Sequence, residues 1–223
     1  MSEIAVSTSW RTCLCELSVS REENNTMASA LQNSAAISGI TIPDSAIANH
    51  ATELLLEHGT EFIYNHSLRV FIFSSLNGER KQLKYDPELL YVSSIFHDLG
   101  LTPHYSSPDK RFEVDGANAA RDFLTSYGLP KDQLQLVWDT IALHTTIGVA
   151  EYKEPEVALM YSGVGLDVMG EGYENLSDAN REEIITAFPR NDFKKKIIPT
   201  FFGGLSIKPR PLLAILRPMF VPI

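Results

Sequence analysis

From Pro43 to about Phe202 the apolar side chains recur at spacings of three and four, and no stretch alternates apolar with polar between hairpin dipeptides. Such a period lays apolar groups along one stripe of a helix and leaves no half-buried strand, so the chain is predicted to be all-α. Helices are expected over Ser45–His58, Thr60–Leu76, Pro87–Leu99, Gly116–Tyr127, Lys131–Thr145 and Glu154–Met169, with two more around Asp178–Ala187 and Asp192–Phe202. Several boundaries carry their own signals. Asp86 can cap a helix that has Pro87 in its first turn, and Gly128 and Gly170 can end helices in the left-handed conformation.

The 223 residues suit one domain with tails. Residues 1–42, rich in Ser, Asn and Ala, read as a poorly ordered extension, 43–208 as the helical domain, and 209–223 as an apolar tail broken by Pro211, Pro218 and Pro222. With 44% hydrophobic and 21% charged residues the composition is that of a globular protein. Nineteen basic against 28 acidic residues leave a net charge of −9, which opposes general nucleic-acid binding. Cys13 and Cys15 are too few for a disulfide framework or a structural zinc site and fit a reducing compartment. No apolar run approaches the ~20 residues that span a bilayer, and the first residues lack a signal-peptide pattern. The expected location is therefore cytoplasmic, or cytoplasmic and nuclear, with no membrane partner.

The polar exceptions on the apolar stripes point to function, because a polar group directed into a core needs a partner. Phe62, His66, Val70 and Phe73 share one face; Leu90, Ser93 and His97 share another, with Asp98 next to His97. Leu134, Val137, Ile141 and His144 form a third, and Val157, Met160, Val164 and Asp167 a fourth. A single such histidine is ordinarily a core residue bonded to a carbonyl. Two inward carboxylates arriving with several imidazoles call for a cation, and a divalent metal satisfies both. Imidazole and carboxylate donors suit Zn²⁺ or Fe²⁺, and with no cysteine nearby the site should keep a position open for water.

The blocks Asn65-His66-Ser67-Leu68-Arg69-Val70-Phe71 and Phe96-His97-Asp98-Leu99-Gly100, followed by a later lone Asp, resemble the HD-domain metalloenzyme superfamily. Arg111-Phe112-Glu113-Val114-Asp115-Gly116-Ala117, His144-Thr145-Thr146 and Gly163-Val164-Gly165-Leu166-Asp167 are similar to its cyanamide hydratase-like branch. The likeness covers roughly Ala51 to Lys208. It implies a helical bundle with a central metal held by His66, His97, Asp98 and Asp167. Two departures stand out. Where cyanamide hydratases carry a Leu-Tyr-Asp-Asn-Val-Gly-like segment, this chain has Met160-Tyr161-Ser162-Gly163, so an alignment anchored there puts Ser162 in the ligand place; Asp167 is preferred because it shares the Val157, Met160, Val164 face. The tail 209–223 also replaces the polar stretch expected of the branch.

A bound divalent cation brings the pKa of water from ~15.7 toward ~7, making a nucleophile available near neutral pH. Asp98, through its free oxygen, or a carboxylate behind the ligands is the expected proton carrier. The resemblance thus implies hydration of a small nitrile, cyanamide, to urea without an organic cofactor. His144, Thr102, Glu113 and Arg69 are the candidate pocket or supporting residues; Asp115 reads equally as a helix N-cap and His104 as solvent-exposed. Two alternatives stay open: a metal-dependent phosphohydrolase, for which Arg69 would be the basic contact, and a non-catalytic binding module. The expected partner is a small-molecule substrate, and a homo-oligomer stays open.

Overall fold

In a computed structural model the described residues are 36–206; most of the extension 1–42 and all of the tail 209–223 lie outside them. The described residues form eight α-helices and no strand. These are α1 (Ala46–His58), α2 (Glu61–Arg80), α3 (Pro87–Phe96), α4 (Phe112–Ser126), α5 (Lys131–Ala142), α6 (Pro155–Met169), α7 (Asp178–Ala187) and α8 (Phe193–Ser206). None is long and apolar enough to cross a membrane. The expected caps are present: the Asp86 carboxylate accepts from the Glu88 and Leu89 amides, and Ser45 and Ser177 cap α1 and α7. Gly128 and Gly170 adopt positive φ. Ahead of Pro43, Ile40 is buried and the Ser38 hydroxyl donates to the Asn180 carbonyl on α7 at 3.4 Å.

Helix α2 is the centre of the bundle. It is buried from Ile63 through Ser75 and packs most extensively on α6, while α4 pairs with α5 and α3 runs between these layers. The core joins Leu55, Leu68, Phe71, Leu90, Ile95, Leu124, Ile141 and Leu159. Each such side chain contributes about 1.5–3 kcal/mol by leaving water. Gly163 sets the α2–α6 approach, since a Cβ there would stand 2.7 Å from the Val70 carbonyl oxygen and 2.1 Å from Ser74 Oγ. Gly116 does the same for α4 against the end of α3, where a Cβ would meet the Phe96 carbonyl oxygen at 2.6 Å.

Three boundaries differ from the expected ones at places that matter. Helix α3 stops at Phe96, and Leu99–Leu101 form a single 3₁₀ turn. Helix α3 is buried on every side from Leu89 to Phe96, so His97 and Asp98 at its end both lie in the interior. Helix α5 stops at Ala142 rather than Thr145, because the His144 ring takes the Ile141 carbonyl at 2.6 Å. Helix α4 starts at Phe112, so Asp115 lies inside its first turn and does not cap it; its carboxylate instead accepts from the Ser107 amide and hydroxyl at 2.9 and 2.6 Å.

Candidate metal centre

Each imidazole that the stripes directed inward has one nitrogen fixed by a neighbour. The His97 Nδ1–H donates to the Ser94 carbonyl at 2.7 Å, the His144 Nδ1–H to the Ile141 carbonyl at 2.6 Å, and the His66 Nδ1–H to Asp167 Oδ2 at 2.6 Å. In a neutral ring these bonds set the tautomer, and Nε2 then carries a lone pair toward the interior. His66 Nε2 and His97 Nε2 stand 3.2 Å apart, with Asp98 Oδ2 at 3.5 and 3.4 Å from them. All three residues are fully buried.

Three acceptors in contact with no donor among them repel one another unless a cation lies between. Donors bound in a tetrahedron at about 2.0–2.2 Å lie about 3.3–3.6 Å apart, which matches the observed triangle. Among the described residues neither Asp98 oxygen has a hydrogen-bond partner, and neither does His144 Nε2, 3.8 Å from Asp98 Oδ1. Helices α3 and α5 also end here, and the partial negative charge of their C-termini favours a cation. His66, His97 and Asp98 can therefore hold a divalent ion.

Electrostatics follow from burial. Desolvation, then the neighbouring His66, lowers the His97 pKa to about 3, and desolvation, then His97, lowers that of His144 to about 4, so both rings are neutral at physiological pH. Burial raises the Asp98 pKa despite the attraction of His66 and His144. Burial opposes ionisation of Asp167 as well, yet hydrogen bonds from His66 and Arg69 hold it below the usual carboxylate range.

Asp167 lies on the far side of the His66 ring from the triangle. Arg69 Nε donates to its Oδ1 at 2.8 Å and Arg69 Nη2 to its Oδ2 at 2.9 Å. Arg69 Nη1 donates to the Phe188 and Pro189 carbonyls, so four of the five N–H groups of this buried guanidinium are engaged. Arg190 adds a bond to Asp167 Oδ1 at 2.6 Å. Glu113 is buried beside the centre and accepts from Thr145 Oγ1 at 2.6 Å and from Arg111. Thr102 Oγ1 donates to the Leu99 carbonyl at 2.7 Å, closing the turn that carries Asp98. Ser162 Oγ donates to the Leu159 carbonyl of α6 at 2.9 Å and accepts from Asn77 Nδ2 of α2 at 3.3 Å. His104 is exposed, its ring stacked on His58 at 4.0 Å.

Arg190, Phe193 and Phe201, which no sequence pattern singled out, complete the surroundings. The Phe193 ring packs on His66 at 4.8 Å and under the Arg69 and Arg190 guanidiniums at 5.0 and 5.1 Å, and Phe201 packs on Phe112, which meets His144. Phe193 and Phe201 both come from α8, whose period marked a helix without marking which helix it would cover.

An all-helical bundle that gathers two imidazoles and a carboxylate in its dry interior is the architecture of a helical divalent-metal-binding domain. The model of the HD domain matches residues 63–187, more than half of the chain, and the chain belongs to the HD-domain family, whose members are mostly metal-dependent hydrolases. A comparison with curated protein sequences gives no match.

Proposed function

We propose that this chain is a metal-dependent enzyme adding water to a small uncharged substrate, with cyanamide, hydrated to urea, as the best fit. One observation carries this reading: with Asp98 Oδ2 given to the ion, Asp98 Oδ1 and His144 Nε2, 3.8 Å apart and without a hydrogen-bond partner among the described residues, are both acceptors. A substrate with N–H groups complements them, whereas a phosphate monoester brings further acceptors and negative charge. Arg69, the basic contact a phosphohydrolase would need, is consumed by Asp167 and two backbone carbonyls.

His66, His97 and Asp98 would hold the ion, and two imidazoles with one carboxylate suit Zn²⁺ or Fe²⁺. A divalent ion there supplies the lowered water pKa that makes a nucleophile available at neutral pH. Asp98 Oδ1 accepts the proton as the new C–O bond forms and returns it to the nitrile nitrogen; the isourea then tautomerises to urea, with no leaving group. His144 Nε2, neutral and unprotonated, accepts from the substrate amino group and orients it. Phe193, Phe112 and the complete burial of the ligands exclude bulk water and favour a small molecule.

The test is urea formation from cyanamide by protein of measured metal content, beside a chelated sample. Metal-dependent urea formation is expected. No product from metal-loaded protein would remove cyanamide and bring phosphate monoesters forward, and protein that takes up no metal would favour the binding-module reading.

A further inference from the structure

The aspartate that the HD pattern offers as a fourth ligand is engaged elsewhere. Asp167 Oδ2 accepts from His66 Nδ1 and Arg69 Nη2, and its Oδ1 accepts from Arg69 Nε and Arg190 Nη1. Arg190 Nη2 also donates to the Asp167 carbonyl at 2.8 Å, so the residue is gripped at side chain and backbone. Swinging the carboxylate to the other face of the ring would break four charge-assisted hydrogen bonds and leave the buried Arg69 without its counter-charge.

We propose that Asp167 is not a metal ligand but the carboxylate that orients His66, and that Arg190, in the α7–α8 link, is a positioning residue for the metal centre. The inference rests on the metal-centre reading above. Its chemistry is that of a carboxylate–histidine–metal relay: a hydrogen bond to the outer nitrogen fixes ring orientation and makes the inner nitrogen a better donor. Arg190 holds the carboxylate in line, and Phe193 beneath both guanidiniums joins this grip to α8. Two imidazoles and one carboxylate, from His66, His97 and Asp98, would then hold the ion, with Asp98 Oδ1 and His144 Nε2 beside them 3.8 Å apart.

Cobalt(II) titration of the full-length chain, with visible absorption spectra and circular dichroism, tests it. Asp167→Asn should keep the position and intensity of the d–d bands, because the donor atoms are unchanged, while weakening cobalt binding about 10- to 100-fold. Arg190→Gln, on a partly exposed side chain, should weaken binding severalfold with an unchanged spectrum, and Arg190→Lys should restore part of the loss. If Asp167 were a ligand restrained by the arginines, Arg190→Gln would free it and tighten binding, and Asp167→Asn would shift the bands; either result overturns the proposal. If Asp167→Asn does not fold, the Arg190 pair alone decides through the direction of the affinity change. A wild-type chain that binds no cobalt overturns the metal reading itself, which a band shift in the variants would leave intact.

Discussion

His97 and Asp98 supply two of the three converging donors from adjacent positions, so losing either removes a ligand rather than a packing contact. His97→Ala or Asp98→Ala is expected to lose both bound metal and turnover, by elemental analysis and product assay; full activity in either would sink the mechanism. His144→Ala should retain metal and lose about 100-fold in kcat/KM, within the range of a displaced polar catalytic group. Ser162→Ala should change neither quantity, because its hydroxyl bonds the Leu159 carbonyl and Asn77 rather than the ligands. At this scale the sequence was informative about residue type: His66, His97 and His144 were each legible as polar exceptions on apolar stripes, and Asp98 as the neighbour of His97. The orientation of Asp167 was not. A stripe assigns a face of the helix, and Asp167 does face inward, but whether it meets the inner or the outer nitrogen of His66 depends on two arginines, one of them 23 residues away along the chain.

At the scale of elements, the centre depends on how closely helices approach. Gly163 carries this for α2 and α6, which bear His66 and Asp167. Gly163→Ala would drive a Cβ against the Val70 carbonyl, which cannot move without bending α2. The expected cost is about 1–3 kcal/mol, read as a fall in melting temperature, together with weaker cobalt binding as His66 parts from its carboxylate. A variant with unchanged melting and affinity would show that the helices tolerate a wider spacing. The glycines of this segment were legible only as part of the Gly163-Val164-Gly165-Leu166-Asp167 block, since sequence period says which face is apolar but nothing of the distance between axes. Helix ends were similarly half-legible. Asp86, Gly128 and Gly170 announced themselves through capping chemistry, whereas α3 and α5 ended early because His97 and His144 bind the carbonyls three residues before them.

For the whole molecule, the centre ties stability to pH and to metal. His97 and His144 have folded pKa values of about 3 and about 4 against 6.5 when unfolded, so below pH 6.5 the unfolded chain binds more protons than the folded one. Their contribution is complete above pH 6.5 and falls as pH drops toward 4, by up to about 1.4 kcal/mol per pH unit for each proton. Asp98, its pKa raised by burial, acts in the opposite sense above 3.8 and offsets part of this. Melting of the metal-free protein should therefore fall between pH 6.5 and 4; a flat profile would contradict the buried neutral imidazoles. Zinc at 100 times its dissociation constant should add about 2.7 kcal/mol at neutral pH. A melting temperature indifferent to zinc would argue against a preformed site.

What the sequence by itself determined is the helical class, most element positions and the residue types of the centre, because period, caps and side-chain polarity are local properties of the chain. Only the tertiary structure decided which nitrogen of each imidazole faces inward, that Asp167 is gripped by Arg69 and Arg190, and that Phe193 from α8 closes on His66. Those depend on distances between helices far apart in the chain, set by glycine contacts and buried ion pairs that leave no period to read.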